Sequence, residues 1–177
     1  RHRLELSDGS SICARIVIDA TGWPAAFARG GGVQHEPAWQ TAIGVVLPSA
    51  PAGDLGRPTF MDFRHVSGVD DSASAADASG ATTFCYSLPI SDGWLVEETV
   101  LAARPAVDPI SLLPRLAARL GRGPDELLAE AVRTEHVRIP LGGSRPRLDQ
   151  PVVAFGAAAG YVHAATGFSV AASLRAA

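Results

Sequence analysis

The sequence predicts an α/β protein in which a central α+β domain, residues 35–143, is inserted between two terminal segments, residues 1–34 and 144–177. The central part shows hairpin signals, which favour antiparallel strands, and it also contains two amphipathic helices. Near the C-terminus a short apolar strand runs directly into a glycine-rich turn. A Gly- and Ala-rich connection from Trp23 to Glu36 marks the first domain boundary.

Composition bounds the class of protein. With 177 residues, 47% hydrophobic and 19% charged, the chain is globular and long enough to bury a core. A net charge of −3, with every one of the 15 basic residues an Arg, gives no reason to expect a nucleic-acid partner. Cys13 and Cys85 match no metal-ligand spacing, so no metal site or disulfide is predicted. Without a signal peptide or a long apolar run, we expect a soluble or peripheral protein in the cytoplasm.

The first segment predicts a hairpin. Leu4–Leu6 alternates apolar and polar residues, Asp8-Gly9 is a turn signal, and Ile12–Ile18 returns as the second strand. That strand ends in a turn of three small residues: Ala20, Thr21 and Gly22. Small residues let the backbone approach a ligand closely, although a plain strand-to-loop turn would show the same pattern.

The central domain begins with two strands. Gln40–Pro48 is apolar enough to be a buried strand, and Phe60–Val66 is predicted to follow it. In the second strand, Asp62 and Arg64 share a face and can form a structural ion pair, an interpretation favoured over direct catalysis. Ser67–Ala81 lacks residues that could pack a core, so we predict a surface loop there.

Thr82–Ile90 and Trp94–Leu101 predict a second hairpin around Ser91-Asp92-Gly93. Alternation along the second strand directs Glu97 and Glu98 to opposite faces, and both faces are largely apolar. A buried carboxylate needs a partner or stays protonated, which is how a general acid is made. The alternative is a strand end, with one Glu in solvent and the other paired to an Arg.

Two helices, a strand and a glycine loop follow the hairpin. Ser111 can cap the first helix and Gly121 can end it, while Pro124 opens the second, which contributes Leu127, Leu128 and Ala131 to an apolar stripe. Arg133–Pro140 is predicted as a strand, and the loop after it contains Gly142 and Gly143, whose bare backbone could lie against a flat ring system.

The C-terminal segment predicts a strand, a glycine turn and a helix. Val152–Phe155 runs into Gly156, and Thr166-Gly167 is expected to begin a helix whose free N–H groups could meet an anionic ligand. A simple strand-to-helix connection would explain the same pattern, but the glycines and alanines over Gly156–Gly160 favour close approach of a ligand. His163 is more readily explained as a hydrogen-bonded scaffold residue than as a base.

Six blocks occur in an order that resembles the lycopene cyclase family, flavoproteins that close the ends of linear lycopene into rings. WLVEETVLAARP is similar to the FLEET-type motif of that family, and GAAAGYVHAATGFSVAASL is similar to its glycine-rich segment along FAD. The other four blocks are VIDATG, QTAIGVV, FMDFR and IPLGG. The resemblance implies a glutathione-reductase-type FAD-binding fold with an inserted substrate domain. No GxGxxG unit occurs, so we expect an internal fragment whose nucleotide-binding entry lies upstream.

The resemblance also implies roles for individual residues. Glu97 matches the essential acid of the family, with Glu98 as its neighbour or relay. Phe84, Tyr86 and Trp94 could line a tunnel for a polyene, or could equally be core residues. The implied FAD-binding residues are Ala20, Thr21, Gly22, Gly142, Gly143, Gly156, Ala158, Gly160, His163, Thr166 and Gly167.

The implied chemistry is a redox-neutral cyclisation of lycopene with reduced FAD, for which NAD(P)H would be the reductant. Because lycopene is wholly apolar, contact with a membrane surface is expected. Two alternatives stay open: another FAD-dependent enzyme of this architecture, either a monooxygenase or a prenyl reductase, and an inactive piece that binds no flavin.

Overall fold

A computed structural model of the chain describes residues 1–31, 36–66, 81–163 and 166–177. It is a mixed α/β structure in which most strands are antiparallel, as predicted. The chain divides into two compact units, with residues 1–37 and 140–177 in unit 1 and residues 38–139 in unit 2. The central unit therefore begins at residue 38 where the sequence suggested 35, and ends at residue 139 where it suggested 143. Apart from Ala81, the predicted surface loop lies outside the described residues.

The secondary-structure elements of the described residues have the following bounds. The strands are β1 (His2–Glu5), β2 (Ser11–Ala14), β3 (Val17–Asp19), β4 (Ala38–Leu47), β5 (Thr59–Asp62), β6 (Thr83–Ile90), β7 (Gly93–Ala103), β8 (Arg133–Leu141) and β9 (Val152–Ala154). The α-helices are α1 (Leu113–Arg119), α2 (Pro124–Glu130) and α3 (Val170–Ala176). None of these helices is both long and apolar enough to cross a membrane.

Unit 1 contains a two-stranded hairpin and a two-stranded parallel sheet. β1 and β2 pair antiparallel from His2 opposite Ala14 to Glu5 opposite Ser11, as the turn signal predicted. The predicted return strand Ile12–Ile18 is broken, however. β3 separates from the hairpin and pairs in parallel with β9, because this pairing buries Val17 and Asp19 on one side of the small sheet.

Unit 2 contains a five-stranded sheet in the order β5-β6-β7-β4-β8. β7 is its central strand and pairs antiparallel with β6 on one side and β4 on the other. Residues directly opposite each other point to the same face, so the register separates two faces. The helix face packs on α1 and α2 and includes Ile43, Val45, Val96, Glu98 and Val100. The Glu97 face includes Gly44, Phe84, Tyr86, Leu95, Glu97 and Thr99.

α2 begins at Pro124 as predicted, but the other two α-helices of the described residues begin differently from the prediction. Asp108, not Ser111, caps the turn before α1, because its carboxylate accepts a hydrogen bond from Ile110 N at 3.2 Å while the Ser111 hydroxyl donates to Asp108 O. The predicted start of α3 at Thr166-Gly167 is wrong: α3 starts at Val170, since the backbone of Gly167 is left-handed, with φ 71°, and cannot belong to a right-handed helix.

Candidate functional site

The turn between β6 and β7 sets the position of the two carboxylates. Ser91 and Asp92 form a two-residue loop between Ile90 and Gly93, which are paired. Gly93 has φ 151°, and a β-carbon there would lie 2.4 Å from the carbonyl oxygen of Leu47. Only glycine allows β7 to start this close to β4, and the resulting register places Glu97 opposite Gly44.

Glu98 is a buried, ion-paired residue of the helix face. Its side chain is fully buried, and its carboxylate accepts hydrogen bonds from Arg115 Nε at 3.0 Å and Arg119 Nε at 2.5 Å. Arg119 also lies 4.0 Å from Asp62, which is ion-paired to Arg64 as the sequence predicted. Two guanidinium groups therefore hold this carboxylate, and Glu98 connects β7 to α1.

The sequence analysis did not identify Arg115 and Arg119 as the partners of Glu98. The signal that could have found them is their spacing, because residues four apart project from one side of a helix. They sit among the leucines of the apolar stripe, where an arginine needs a buried acid.

Glu97 occupies the opposite face and has no cationic partner among its contacts in the described residues. The hydroxyl of Thr99 donates a hydrogen bond to Glu97 Oε1 at 3.0 Å. Burial raises the pKa of the Glu97 carboxyl; the Thr99 hydrogen bond lowers it, and the negative charge of Glu135 raises it further. The arrangement favours the protonated acid, which is the form that can donate a proton.

Aromatic side chains form a continuous row beside Glu97. Tyr86 is directly opposite Glu97 in the sheet, and its ring lies 5.1 Å from that of Phe84 and 5.9 Å from that of Phe60. Phe84 in turn lies 5.4 Å from Phe63. The sequence analysis assigned no ligand role to Phe60 and Phe63, whose rings are half or more exposed.

Trp94 does not belong to this row. Its register partners are Leu47 and Pro89, it packs against the core of the helix face, and its indole Nε1 donates to Ser87 Oγ at 2.7 Å. Strand alternation therefore separates Trp94 from Phe84 and Tyr86, and Trp94 takes the alternative of a core residue that the sequence left open.

In unit 1, Asp19 organises the turn that contains Ala20, Thr21 and Gly22. Its buried carboxylate accepts hydrogen bonds from the Thr21 backbone and hydroxyl, from Phe27 N at 2.7 Å and from Ala28 N at 2.8 Å. Burial raises the pKa of Asp19, but these hydrogen bonds outweigh that effect and lower the pKa to about 2. The sequence analysis missed Asp19, although an acid directly after an apolar strand was a usable signal.

Three glycines among the predicted cofactor-binding residues present bare backbone to open space. Gly22, Gly142 and Gly156 all have positive φ, and no atom lies within 4 Å of where a β-carbon would be. Gly143 differs, because a β-carbon there would lie 3.2 Å from the ring of Trp23. Ala158 is also different, because it is buried in a small core with Ala28, Ala154 and Ala159.

A cleft of about 1030 Å³ lies along the C-terminal part of unit 1 and is the place where Gly160, His163 and Thr166 meet. Thr166 Oγ1 is 3.2 Å from His163 Nδ1, and the backbone of Gly167 donates to His163 O at 2.9 Å. The cleft is mainly apolar, with Arg145 and Arg175 in its lining. His163 therefore lines the cleft and contacts Thr166.

The chain belongs to the lycopene cyclase family: the family described as lycopene cyclase protein matches residues 1–177. It is 34% identical to lycopene beta cyclase of Solanum lycopersicum and 36% identical to lycopene beta cyclase of Arabidopsis thaliana, both named as chloroplastic. Each alignment includes 97% of this chain and 34% of the relative, so the chain spans about a third of the length of these relatives. A solved peptidyl tryptophan dihydroxylase, QhpG, superposes at 19% identity over 98% of this chain and 37% of its own, with a TM-score of 0.49. At that similarity no conclusion follows from the superposition.

Proposed function

We propose that the protein containing this chain cyclises lycopene, with Glu97 as the general acid. The observation that supports this proposal most directly is the contrast between the two adjacent carboxylates. Glu98 is neutralised by Arg115 and Arg119, whereas Glu97 is partly buried with only a hydroxyl hydrogen bond and a second carboxylate nearby. The plant relatives are named lycopene beta cyclases, which identifies the substrate we propose.

The proposed reaction begins with proton transfer from the Glu97 carboxyl to the terminal double bond of lycopene. The O–H bond breaks, a C–H bond forms, and the positive charge develops on the neighbouring carbon. A nearby double bond then supplies its electron pair to close the ring, and transfer of a ring proton to the Glu97 carboxylate that the first step left behind restores a double bond and the acid. Atoms and electrons balance without an oxidant, so the cyclisation is redox-neutral.

Phe84 and Tyr86 are proposed to bind the polyene next to the acid. They lie on the Glu97 face, and Tyr86 is directly opposite Glu97. Aromatic faces attract positive charge, so they can stabilise a carbocation as well as an apolar chain. Trp94 has no part in this proposal because it lies on the helix face.

FAD is the cofactor that the family implies, and the residues of unit 1 fit a flat, closely approached ligand. Replacing Gly22, Gly142 or Gly156 by any larger residue would place a side chain in the open space next to the backbone. We propose that these glycines hold FAD together with Ala20, Thr21, Gly160, His163, Thr166 and Gly167, in a glutathione-reductase-type arrangement. When bound, reduced flavin supplies an electron-rich ring system that stabilises positive charge without net electron transfer, and NAD(P)H is the proposed reductant.

Peripheral contact with a membrane is part of the same proposal. Lycopene is apolar and dissolves in lipid, so an enzyme that binds it must reach the bilayer surface. The matched relatives are named as chloroplastic, a location that differs from the cytoplasm expected from the sequence.

The experiment that tests the function is anaerobic conversion of lycopene by the flavin-loaded holoenzyme that contains this chain. The proposal expects ring products with reduced flavin and no oxygen. A strict need for oxygen would identify a monooxygenase, and hydrogenated products would identify a prenyl reductase. Both alternatives need the glycine turns of unit 1 but have no use for a protonated Glu97. Absence of flavin absorption from the purified holoenzyme would contradict the cofactor assignment.

A further inference from the structure

Gly44 brings a second carboxylate close to Glu97. A β-carbon at Gly44 would lie 3.6 Å from Cβ of Glu97 on β7 and 3.6 Å from Cβ of Glu135 on β8. The two glutamates therefore flank one bare position of β4, on the same face of the sheet, with their β-carbons no farther apart than about twice that distance. The side chain of Leu95 lies beside the same position, because a β-carbon at Gly44 would be 3.1 Å from Leu95 Cδ1.

Glu135 belongs to a set of three ion-paired residues that extends to Asp92 in the turn between β6 and β7. Arg133 forms an ion pair with Glu135 and, through Nε, a second one with Asp92 at 2.9 Å. Glu135 is about one-third exposed and Arg133 somewhat more. Solvent therefore partly screens these charges, and Arg133 offsets only some of the negative charge of Glu135 that acts on Glu97.

We propose that Glu135 is a positioning residue that keeps Glu97 protonated, and that Arg133 sets how strongly it does so. This inference rests on the proposed role of Glu97 as the acid. Two carboxylates that share a partly buried face cannot both ionise easily, so the more buried one retains its proton. The pKa of Glu97 is raised by burial and by Glu135, in keeping with this arrangement.

The other groups that face Glu97 do not replace Glu135 in this role. Tyr86 on β6 is neutral at ordinary pH, because a phenol ordinarily has a pKa of about 10 and burial raises the pKa of this one further. Thr99 on β7 donates a hydrogen bond to the carboxylate and so opposes protonation. Gly44 on β4 contributes no side chain. Among the described residues, Glu135 is the negatively charged group that acts on Glu97.

The test compares two substitutions that should shift the acid in opposite directions. In the holoenzyme that contains this chain, Glu135→Gln should move the alkaline limb of the kcat profile to lower pH. On that limb the protonated fraction of Glu97 should fall about two- to fivefold, the size expected of a partly exposed charge pair. Arg133→Gln should move the limb to higher pH, because Glu135 then loses its cation. Glu135→Asp should keep the parental profile, and Arg147→Gln, which breaks an exposed ion pair with Asp149, should leave it unchanged.

Infrared titration of the Glu97 carboxyl, identified by its absence from Glu97→Gln, separates this inference from the proposed function. A shift in the infrared titration in Glu135→Gln without a shift in the kcat profile would support the coupling and remove Glu97 from the acid role. Unchanged titration in both Glu135→Gln and Arg133→Gln would overturn the inference, whatever the activity. Equal shifts of the same sign in both variants would overturn it as well, since the two charges are opposite.

Discussion

At the scale of single residues, Glu97 and Glu98 are neighbours in sequence with opposite surroundings. Successive residues of a strand point to opposite faces, so one carboxylate meets the arginines of α1 and the other meets Tyr86 and Thr99. The first environment supplies two ion pairs to the carboxylate of Glu98, and burial in the second raises the pKa of Glu97. A single strand thus provides an anchor for a helix and, in the proposed mechanism, the general acid at adjacent positions.

The anchor role of Glu98 predicts a large loss of stability in Glu98→Ala. Removing the carboxylate leaves Arg115 and Arg119 charged and buried, which costs about 3–5 kcal/mol in the free energy of unfolding. Urea unfolding measures the loss. Asp149→Asn, which breaks an exposed pair with Arg147, serves as a control and should cost less than about 1 kcal/mol. Similar small effects in both variants would show that Glu98 does not hold α1.

Asp19 predicts a pH-dependent contribution to stability. Its pKa is lowered from 3.8 to about 2 in the folded state, so its contribution is fully present above pH 4 and is lost as the pH falls toward 2. Asp19→Asn should lower the free energy of unfolding by about 2 kcal/mol at neutral pH, the size of a hydrogen bond to a charged group. Denaturant unfolding at several pH values should show that the difference from the parent narrows below pH 4. A difference that stays constant down to pH 2 would contradict the assignment.

At the scale of elements, the β6–β7 hairpin depends on Gly93. Gly93→Ala would place a β-carbon 2.4 Å from Leu47 O, and a backbone atom within a sheet cannot move aside easily. We expect a loss of more than about 2 kcal/mol in the free energy of unfolding. Gly121→Ala is the matched control, since Gly121 also has positive φ but faces open space, and it should cost about 1 kcal/mol. Equal losses would mean that backbone strain alone, and not the contact with β4, makes Gly93 necessary.

Local patterns predicted the elements better than their partners. Alternation in the strand Trp94–Leu101 correctly placed Glu97 and Glu98 on opposite faces, and the turn residues correctly marked the hairpin. The same alternation applied across the hairpin would also have excluded Trp94 from the face of Tyr86. The pairing of β3 with β9 could not be predicted, because it joins residues more than a hundred positions apart and no local signal encodes it.

For the candidate site too, local sequence patterns predicted single residues but not the residues that the folded sheet brings next to them. Glu97 was found by its chemistry on an apolar strand and by a family motif, whereas Glu135 and Gly44 enter the site through strands that meet only in the folded sheet. Asp108 replaced Ser111 as the cap before α1 because two residues could serve there and the backbone geometry selected one of them.

At the scale of the whole molecule, the two units contain different parts of the proposed chemistry. Unit 2 contains the carboxylates and the aromatic row, and unit 1 contains turns with bare backbone next to open space. Unit 1 is built on short strands and small side chains, with a core mainly of alanines.

The cofactor proposal predicts a difference between two glycines of unit 1. Gly156→Ala should weaken flavin binding by about tenfold, because its β-carbon would enter the space proposed for the cofactor. Gly9→Ala should not, although Gly9 has a similar positive φ and open surroundings, since it lies in the β1–β2 turn. Flavin absorbance per mole of purified holoenzyme measures both. Equal flavin content in the two variants would remove the segment from Gly156 to Gly160 from the cofactor site.

The central claim is that Glu97 donates the proton that starts cyclisation, and ring formation by Glu97→Gln at matched flavin content tests it most directly. Glutamine keeps the size of the side chain and an oxygen that can accept the Thr99 hydrogen bond, but it has no acidic proton to transfer. The rate of ring formation should fall by about 10²–10⁴-fold, the usual contribution of a general acid, while the unfolding free energy changes by less than about 1 kcal/mol. Ring formation within a fewfold of the parent rate would contradict the claim.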